Sequence, residues 1–388
     1  MNPAPVQSSQ RIHYLDVVRG FAITGVLIAF ISWNLGTAPE SVYTSFDITL
    51  DKVLVFLVDS KCYTILANLF AVGFVLHMSK PGNPARRLNT YRKRLAGLLI
   101  IGIIHAVFLR NGDILAPYAL LTLLVSLFYQ SSTRTIIIAM VITFLLPALV
   151  PEIYMVLHLS QPQRPVSNEN SNYLSENLAW VKYFYTTLAF FWETTLFFLF
   201  SGLLLGRVFI QNKKKLNDRQ LMFITTIGLI AGVAGYWIPN AFGNLLARIP
   251  DIGNTFILRK LTYDLLMLIH RAGLATTYAI VLYLLLKRFS LDVLATLGRT
   301  SLSNYIMQAV IVVPVCLAFN LFDHITPTIA LIMTITIWIF QVLFSSWWLK
   351  IYQFGPLEWV LRRFTYGKTV TAKKSKIKDG LVVGSESF

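Results

Sequence analysis

Residues 94–130 read RLAGLLIIGIIHAVFLRNGDILAPYALLTLLVSLFYQ. Two apolar runs flank one polar turn, Arg110-Asn111-Gly112. A helix needs roughly 20 mainly apolar residues to cross a bilayer, and a three-residue turn allows only an antiparallel hairpin between two such helices. The rest of the 388-residue chain repeats the pattern. Hydrophobic residues make up 55% of it and charged residues 13%. Soluble domains carry about 25% charged residues, so no water-facing shell can be built from this mixture. The chain reads as an all-α polytopic membrane protein with ten spans, near 16–36, 53–78, 94–109, 113–130, 134–156, 182–206, 220–243, 261–286, 300–320 and 326–349. They form one transmembrane domain over 11–368, between a flexible N-terminus, 1–10, and a flexible basic tail, 369–388. Pro147, Pro151, Pro239 and Pro314 fall within or at the ends of spans, and each predicts a kink or a helix end.

Charge fixes the orientation. The formal net charge is +16, which on a soluble protein would point to nucleic acid. Here the basic residues lie in short runs between apolar stretches, so no nucleic-acid partner is expected; they read as topology determinants. With the N-terminus inside, 25 of the 34 Lys and Arg residues fall on the inner side. Both termini are therefore expected in the cytoplasm, and the polar loop 157–181 outside. Cys62 and Cys316 lie inside apolar stretches; no disulfide framework and no metal site is implied.

An ionisable residue within a span is costly and is a functional hypothesis by default. The outer half collects one group. Lys61, Thr64 and Asn68 form a stripe at helical spacing below Asp59. His105 lies about five residues, some 7 Å, below the Arg110 turn, with Asp113 opposite it across the hairpin. Asp264, His270 and Arg271 share the 261–286 span, and Glu193 sits near mid-membrane. The inner half collects another: Asp16 with Arg19, Ser301 with Asn304 and Gln308, Gln341 with Ser345, and a basic mouth of Arg86, Arg87, Arg92, Lys93 and Arg94. Each also has a structural reading. Asp16–Arg19 is an i, i+3 pair at a helix start, polar stripes hydrogen-bond neighbouring helices, and a basic mouth sets topology. His105 stands apart, because a nearby carboxylate can fix an imidazole tautomer and raise its basicity.

The same residues resemble a known family. Leu15-Asp16-Val17-Val18-Arg19-Gly20-Phe21-Ala22 is similar to the LD-x-x-RGFA opening of YeiB-like bacterial membrane proteins. His105 followed by Gly112-Asp113-Ile114-Leu115, then Tyr118-Ala119-Leu120, resembles their H…GDIL-x-x-YAL stretch. The segment from Leu297-Gly298-Arg299 to Asn304-Tyr305-Ile306-Met307-Gln308 resembles a third motif, and Gly355-Pro356-Leu357-Glu358-Trp359 through Thr365-Tyr366-Gly367 a fourth. The matches run in order from residue 11 to about 368. The chain departs from the family pattern at Ala67 and Ala71, where Ser and Gly are usual. The resemblance implies a bacterial cytoplasmic membrane location and a distant kinship with membrane acyltransferases of the heparan-glucosaminide N-acetyltransferase type, which use a histidine and cytoplasmic acyl-CoA.

On that footing the expected function is transfer of an acyl group from cytoplasmic acyl-CoA to a small-molecule or glycan acceptor on the far side. His105 is the expected general base, held by Asp113. Lys61, Asn68, Glu193, Asp264, His270 and Arg271 are expected on the acceptor and acyl path, and Arg19, Arg92, Arg94, Arg299, Asn304, Gln308 and Gln341 on the CoA side. No metal is expected. Membrane lipid is an expected partner, and a homodimer is compatible with the reading. The alternative is a transporter of a small solute that uses the same two polar groups as gates.

Overall fold

The computed structural model describes residues 12–33, 38–109, 113–156, 172–186, 193–212, 216–246, 255–367 and 370–373. Among them are fourteen α-helices and no β-strand. In chain order these are α1 (His13–Trp33), α2 (Ser45–Leu57), α3 (Lys61–Met78), α4 (Pro84–Phe108), α5 (Leu115–Ser126), α6 (Thr133–Val156) and α7 (Tyr173–Thr186). They are followed by α8 (Glu193–Gly206), α9 (Asp218–Leu246), α10 (Thr255–Leu286), α11 (Asp292–Arg299), α12 (Ser301–Ala318), α13 (Pro327–Ile351) and α14 (Pro356–Tyr366). Seven stretches are long and apolar enough to cross a membrane: those of α1, α2–α3, α8, α9, α10, α12 and α13. Shorter apolar helices run over Leu115–Ser126 and Thr133–Leu146. The large side chains left uncovered, such as Phe108, Leu127, Phe223, Ile230 and Leu343, are apolar, as a lipid-facing surface requires.

Several expected spans are subdivided. The 53–78 span falls within a 34-residue apolar stretch, Ser45–Met78, and straddles its break at 58–60. Ser60 sits there at φ 63°, a left-handed conformation that stops a helix. Asp47 anchors the first part. Its Oδ2 accepts from the Thr44 N–H at 3.0 Å and the Thr44 hydroxyl at 2.7 Å, while Oδ1 accepts from Thr328 at the start of α13. The expected outer loop is helical from Tyr173 onward. The 300–320 span is preceded by the short helix α11, with the joint at Thr300. None of the four prolines ends its helix: α6, α9 and α12 pass through them. At the head of the basic tail, residues 370–373 dock on α14 and the end of α13, with the Gln353 N–H donating to Ala372 O and Trp359 Nε1 to Val370 O.

α1 runs through the centre, 72% buried, whereas the α9 span is 22% buried and peripheral. Small residues allow the helices to approach closely, the usual device where lipid offers no hydrophobic drive between helices. A Cβ on Gly20 would strike the Leu294 carbonyl, and one on Gly298 the Asp16 carbonyl, so α1 and α11 cross backbone to backbone. Gly228 and Gly273 make the same close crossing of α9 and α10. Gly202 of α8 lies against the Asn68 backbone and Ala71 of α3. The family departure at Ala71 therefore falls at a tight but filled contact.

Candidate functional site

The hairpin between α4 and α5 does what its short turn demands. His105 and Asp113 are each 3% exposed, with Nδ1 3.2 Å from Oδ1. That separation is an ion-pair distance, but the ring is not aligned for a hydrogen bond, and Nδ1 has none. Asp113 is held by other groups. Its Oδ2 accepts from the Ala116 N–H at 2.8 Å, which caps α5, and its Oδ1 accepts from the Tyr305 hydroxyl at 3.2 Å. The Tyr305 oxygen in turn accepts from the Ile114 N–H at 3.1 Å. The Tyr305 ring lies 5.0 Å from the His105 ring, tilted by 38°. Gly102, one turn before His105, admits the Asp113 carboxylate: a Cβ there would meet Oδ2 at 2.6 Å.

A small cavity opens beside this cluster. It is lined by Tyr63, His105, Tyr305 and Gln308 with Val26, Phe30, Ile114 and Ala309. Its volume of about 10 Å³ is the room of roughly one water. Four helices and the α4–α5 connection thus converge on His105: α1, α3, α4 and α12. Gln308 was expected on the CoA side, but it lines this cavity and donates to the Ile23 carbonyl at 3.3 Å. The α3 residue that lines the cavity is Tyr63, not the Lys61–Thr64–Asn68 stripe.

Lys61 is buried at 2% exposure and its Nζ donates to the Val55 carbonyl at 2.7 Å, across the break between α2 and α3. Asn68 donates to the Thr64 carbonyl. On α10, Asp264 pairs with Lys260 at 2.5 Å and so does not face Arg271 as a partner. Arg271 donates to the Thr194 hydroxyl at 3.4 Å. His270 is 2% exposed, with Nδ1 donating to the Gly232 carbonyl at 2.6 Å and with the Phe56 and Tyr236 rings, themselves 5.1 Å apart, both packed on it. Its Nε2 has no hydrogen-bond partner. None of these residues lines the cavity. Glu193 begins α8, but its side chain lies outside the described residues.

The inner group is mostly self-contained. Asn304 Nδ2 donates to the Thr300 hydroxyl at 3.0 Å and the Ser345 hydroxyl at 3.2 Å, and Gln341 Nε2 donates to the Asn304 carbonyl at 2.9 Å. Asn304, Thr300, Gln341 and Ser345 are at most 1% exposed. They join α12 to α13, so two of the residues expected on the CoA side contribute hydrogen bonds to that junction. Arg19 donates to Asp16 at 3.1 Å, as the i, i+3 spacing predicts. Arg92 and Arg94 are exposed and Arg299 is half-buried. No group of three or more His, Cys, Asp or Glu residues that could hold a metal is present among the described residues.

Sequence reasoning passed over Tyr305, Tyr63 and Glu358. Tyr305 was within a quoted motif, one residue from Asn304, but it read as one more aromatic in a span. Glu358 caps α12: its Oε1 accepts from the Leu302 N–H at 2.7 Å and the Ser303 N–H at 3.3 Å, and Oε2 from the Ser303 hydroxyl. The Leu357 N–H returns a bond to the Ser303 oxygen at 3.0 Å. The fourth motif therefore fastens α14 to the start of α12.

The fold and site define a polytopic helical membrane protein with a buried His–Asp–Tyr cluster beside a small cavity. Residues 205–368 match the family described as "Protein of unknown function (DUF418)". The chain is 25% identical to "Uncharacterized protein YxaH" of Bacillus subtilis (strain 168), covering 96% of this chain and 99% of that protein. It is 28% identical to "Uncharacterized 39.9 kDa protein in amylase 3'region" of Bacillus acidopullulyticus, over 94% of this chain and 96% of that protein. It is also 25% identical to "Uncharacterized protein YeiB" of Escherichia coli (strain K12), over 90% and 95%. No solved structure gives a significant match. The chain is thus similar over nearly its whole length to YeiB-like proteins, and its second half matches the DUF418 family.

Proposed function

We propose that this protein is an integral acyltransferase of the bacterial cytoplasmic membrane, moving an acyl group from cytoplasmic acyl-CoA to an acceptor on the far side. The proposed topology has ten crossings with both termini in the cytoplasm. The α4 crossing carries its arginines in its first half, and α5 and α6 supply the two short crossings. The α1 start and the α10 end meet where Tyr14 donates to the Ala279 carbonyl. Lys287 after α10 meets Asp218 at the start of α9. Both contacts fall at the end that also carries Arg19, Arg92 and Arg94.

The observation that carries the reading is the buried His105 beside Asp113 on a cavity. With Nδ1 3.2 Å from the Asp113 carboxylate, Nε2 is the nitrogen left for a substrate proton, and a small turn of the ring would complete the hydrogen bond by which a carboxylate orients a base. In the proposed step the acceptor hydroxyl or amine attacks the thioester carbonyl carbon while His105 takes its proton. The C–S bond then breaks, and the CoA thiolate leaves and recovers that proton. Transfer is direct: Cys62 is buried against Gly25 and does not line the cavity. The cavity holds about one water, so an acyl group enters only when α1 and α12 part at Val26 and Ala309. Arg19, Arg92, Arg94 and Arg299 remain on the proposed CoA side, and the Lys61–His270–Arg271 group on the acceptor side.

The test compares membranes that hold wild-type protein with membranes that hold His105→Ala, each given radiolabelled acetyl-CoA and the cell's own acceptors. General-base loss costs about 10²–10⁴ in rate. Labelled product should fall by that much while the variant elutes from a sizing column as the wild type does. A transporter would make no labelled covalent product with either protein, and equal product from both would overturn the role of His105.

A further inference from the structure

The sequence between Asp59 and Asp113 contains no Asp or Glu. It holds the turn from α3 into α4 and the basic first half of α4, so the cations there lack a local counter-charge. The fold then adds another cation. α14 docks on α4 at Gly97, where a Cβ would meet Leu361 Cδ1 at 2.7 Å and Phe364 Cδ1 at 3.0 Å. Arg94 lies one turn before Gly97, and Arg362 is next to Leu361, so both arginines stand beside this crossing, and both lie close enough to Lys80 to act on its charge. The Arg362 guanidinium is held 4.1 Å above the Phe354 ring. Lys80 is the third member. Arg87 Nη1 donates to the Lys80 and Gly82 carbonyls, which folds the turn back onto the first turn of α4. Arg87, Tyr91 and Arg94 follow at i, i+4 and i+7, one helix face, and that face packs on α3 through Tyr91 against Phe74 and His77.

We propose that Lys80, Arg94 and Arg362 form a seat for a phosphate-bearing ligand at the basic end of the bundle. Two planar guanidinium forks and one ammonium are the donor set that phosphate oxygens take. Among the described residues no carboxylate pairs with Lys80, Arg87 or Arg94. The charges also act on one another. Burial, then Arg362 and Arg94, hold the Lys80 ammonium below its ordinary range. A folded-state value below the unfolded one means that the charged lysine opposes folding at neutral pH, and this opposition is relieved only as pH rises towards the ordinary lysine range. An anion bound among the three cations would relieve this opposition.

Phosphate could reach this seat from two sources, the phosphates of CoA or the headgroup of an anionic phospholipid. Only the first depends on the acyl-transfer reading. The experiment uses the purified full chain in detergent and follows its melting temperature and its binding by microscale thermophoresis. The probes are CoA, phosphatidylglycerol micelles and phosphatidylcholine micelles. The variants are Lys80→Gln, Lys80→Gln/Arg94→Gln/Arg362→Gln, and a control that removes three exposed cations elsewhere, Arg134→Gln/Arg219→Gln/Arg288→Gln. The wild type should bind CoA or phosphatidylglycerol, and phosphatidylcholine far less. Binding should weaken about tenfold to hundredfold in Lys80→Gln, more in the triple variant, and little in the control. Without ligand, Lys80→Gln should melt no lower than the wild type. A response to CoA assigns the seat to the donor, and a response to phosphatidylglycerol alone assigns it to lipid and leaves the acyl-transfer reading untouched. Wild type that binds neither, a triple variant that binds as the wild type does, or an equal loss in the control would overturn the site.

Discussion

Asp113 holds the candidate site together through two hydrogen bonds, from the Ala116 amide and the Tyr305 hydroxyl, and lies 3.2 Å from His105 Nδ1. Tyr305 →Phe keeps the ring against His105 and removes only the oxygen that bridges Ile114 to Asp113. A hydrogen bond to a charged group contributes about 1.5–3 kcal/mol, so acyl transfer should fall about tenfold to hundredfold, less than for His105→Ala. A measurement of kcat and KM separately should put the loss in kcat; an unchanged kcat would make Tyr305 a packing residue. His105 and Asp113 were legible in sequence because three residues join their helices. Tyr305 was not, because it lies 192 residues from Asp113 and no local pattern marks a contact of that range. Gln308 was legible as polar and buried, but not as a neighbour of His105, since its place depends on how α12 turns against α1.

Single apolar runs were easy to find, and their interruptions were not. The run over Ser45–Met78 has no proline or glycine in its first part to announce the break at 58–60; it is set by Ser60 in a left-handed conformation and by Asp47 at the start of α2. Asp47 serves two helices at once, as the capping partner of Thr44 in α2 and the acceptor for Thr328 N–H at 3.0 Å in α13. Asp47→Ala should therefore destabilise the protein by about 1.5–3 kcal/mol, and Asp47→Asn, which keeps one acceptor oxygen, by less. Thermal unfolding in detergent checks the order; equal losses from both would assign the effect to charge rather than to the bonds. Of the kink or helix end expected at each proline, the helix end does not occur, since neighbouring helices and local adjustments re-satisfy the freed carbonyls inside a bundle. Glycines carry the opposite lesson. Gly20 and Gly298 each stand in a quoted motif, and their role is the backbone contact of α1 with α11. Gly298→Ala should cost about 1–3 kcal/mol or more as the helices are forced apart, read as a lower melting temperature and a lower folded yield. A variant as stable as the wild type would show that the crossing relaxes freely.

The bundle has two unlike ends. One carries the His105–Asp113–Tyr305 cluster beneath the α4–α5 connection; the other carries Arg19, Lys80, Arg94 and Arg362, with α14 fastened across it by Glu358. The membrane character and the polar ends were readable from composition and from the spacing of basic runs, because insertion cost and leaflet charge act on sequence directly. The crowding of α3, α4 and α14 around one basic patch was not readable, since it needs the helix crossings that small residues set. If the protein transfers acyl groups across the membrane, donor and acceptor must approach these two ends separately. Sealed membrane vesicles of both orientations, given radiolabelled acetyl-CoA that cannot cross the bilayer, test this most directly. The label should pass to acceptor only in vesicles that expose the Lys80–Arg94 end to the donor, and should be lost in those vesicles with His105→Ala. Label transferred from donor supplied at the His105 end, or equally in both orientations, would contradict the account.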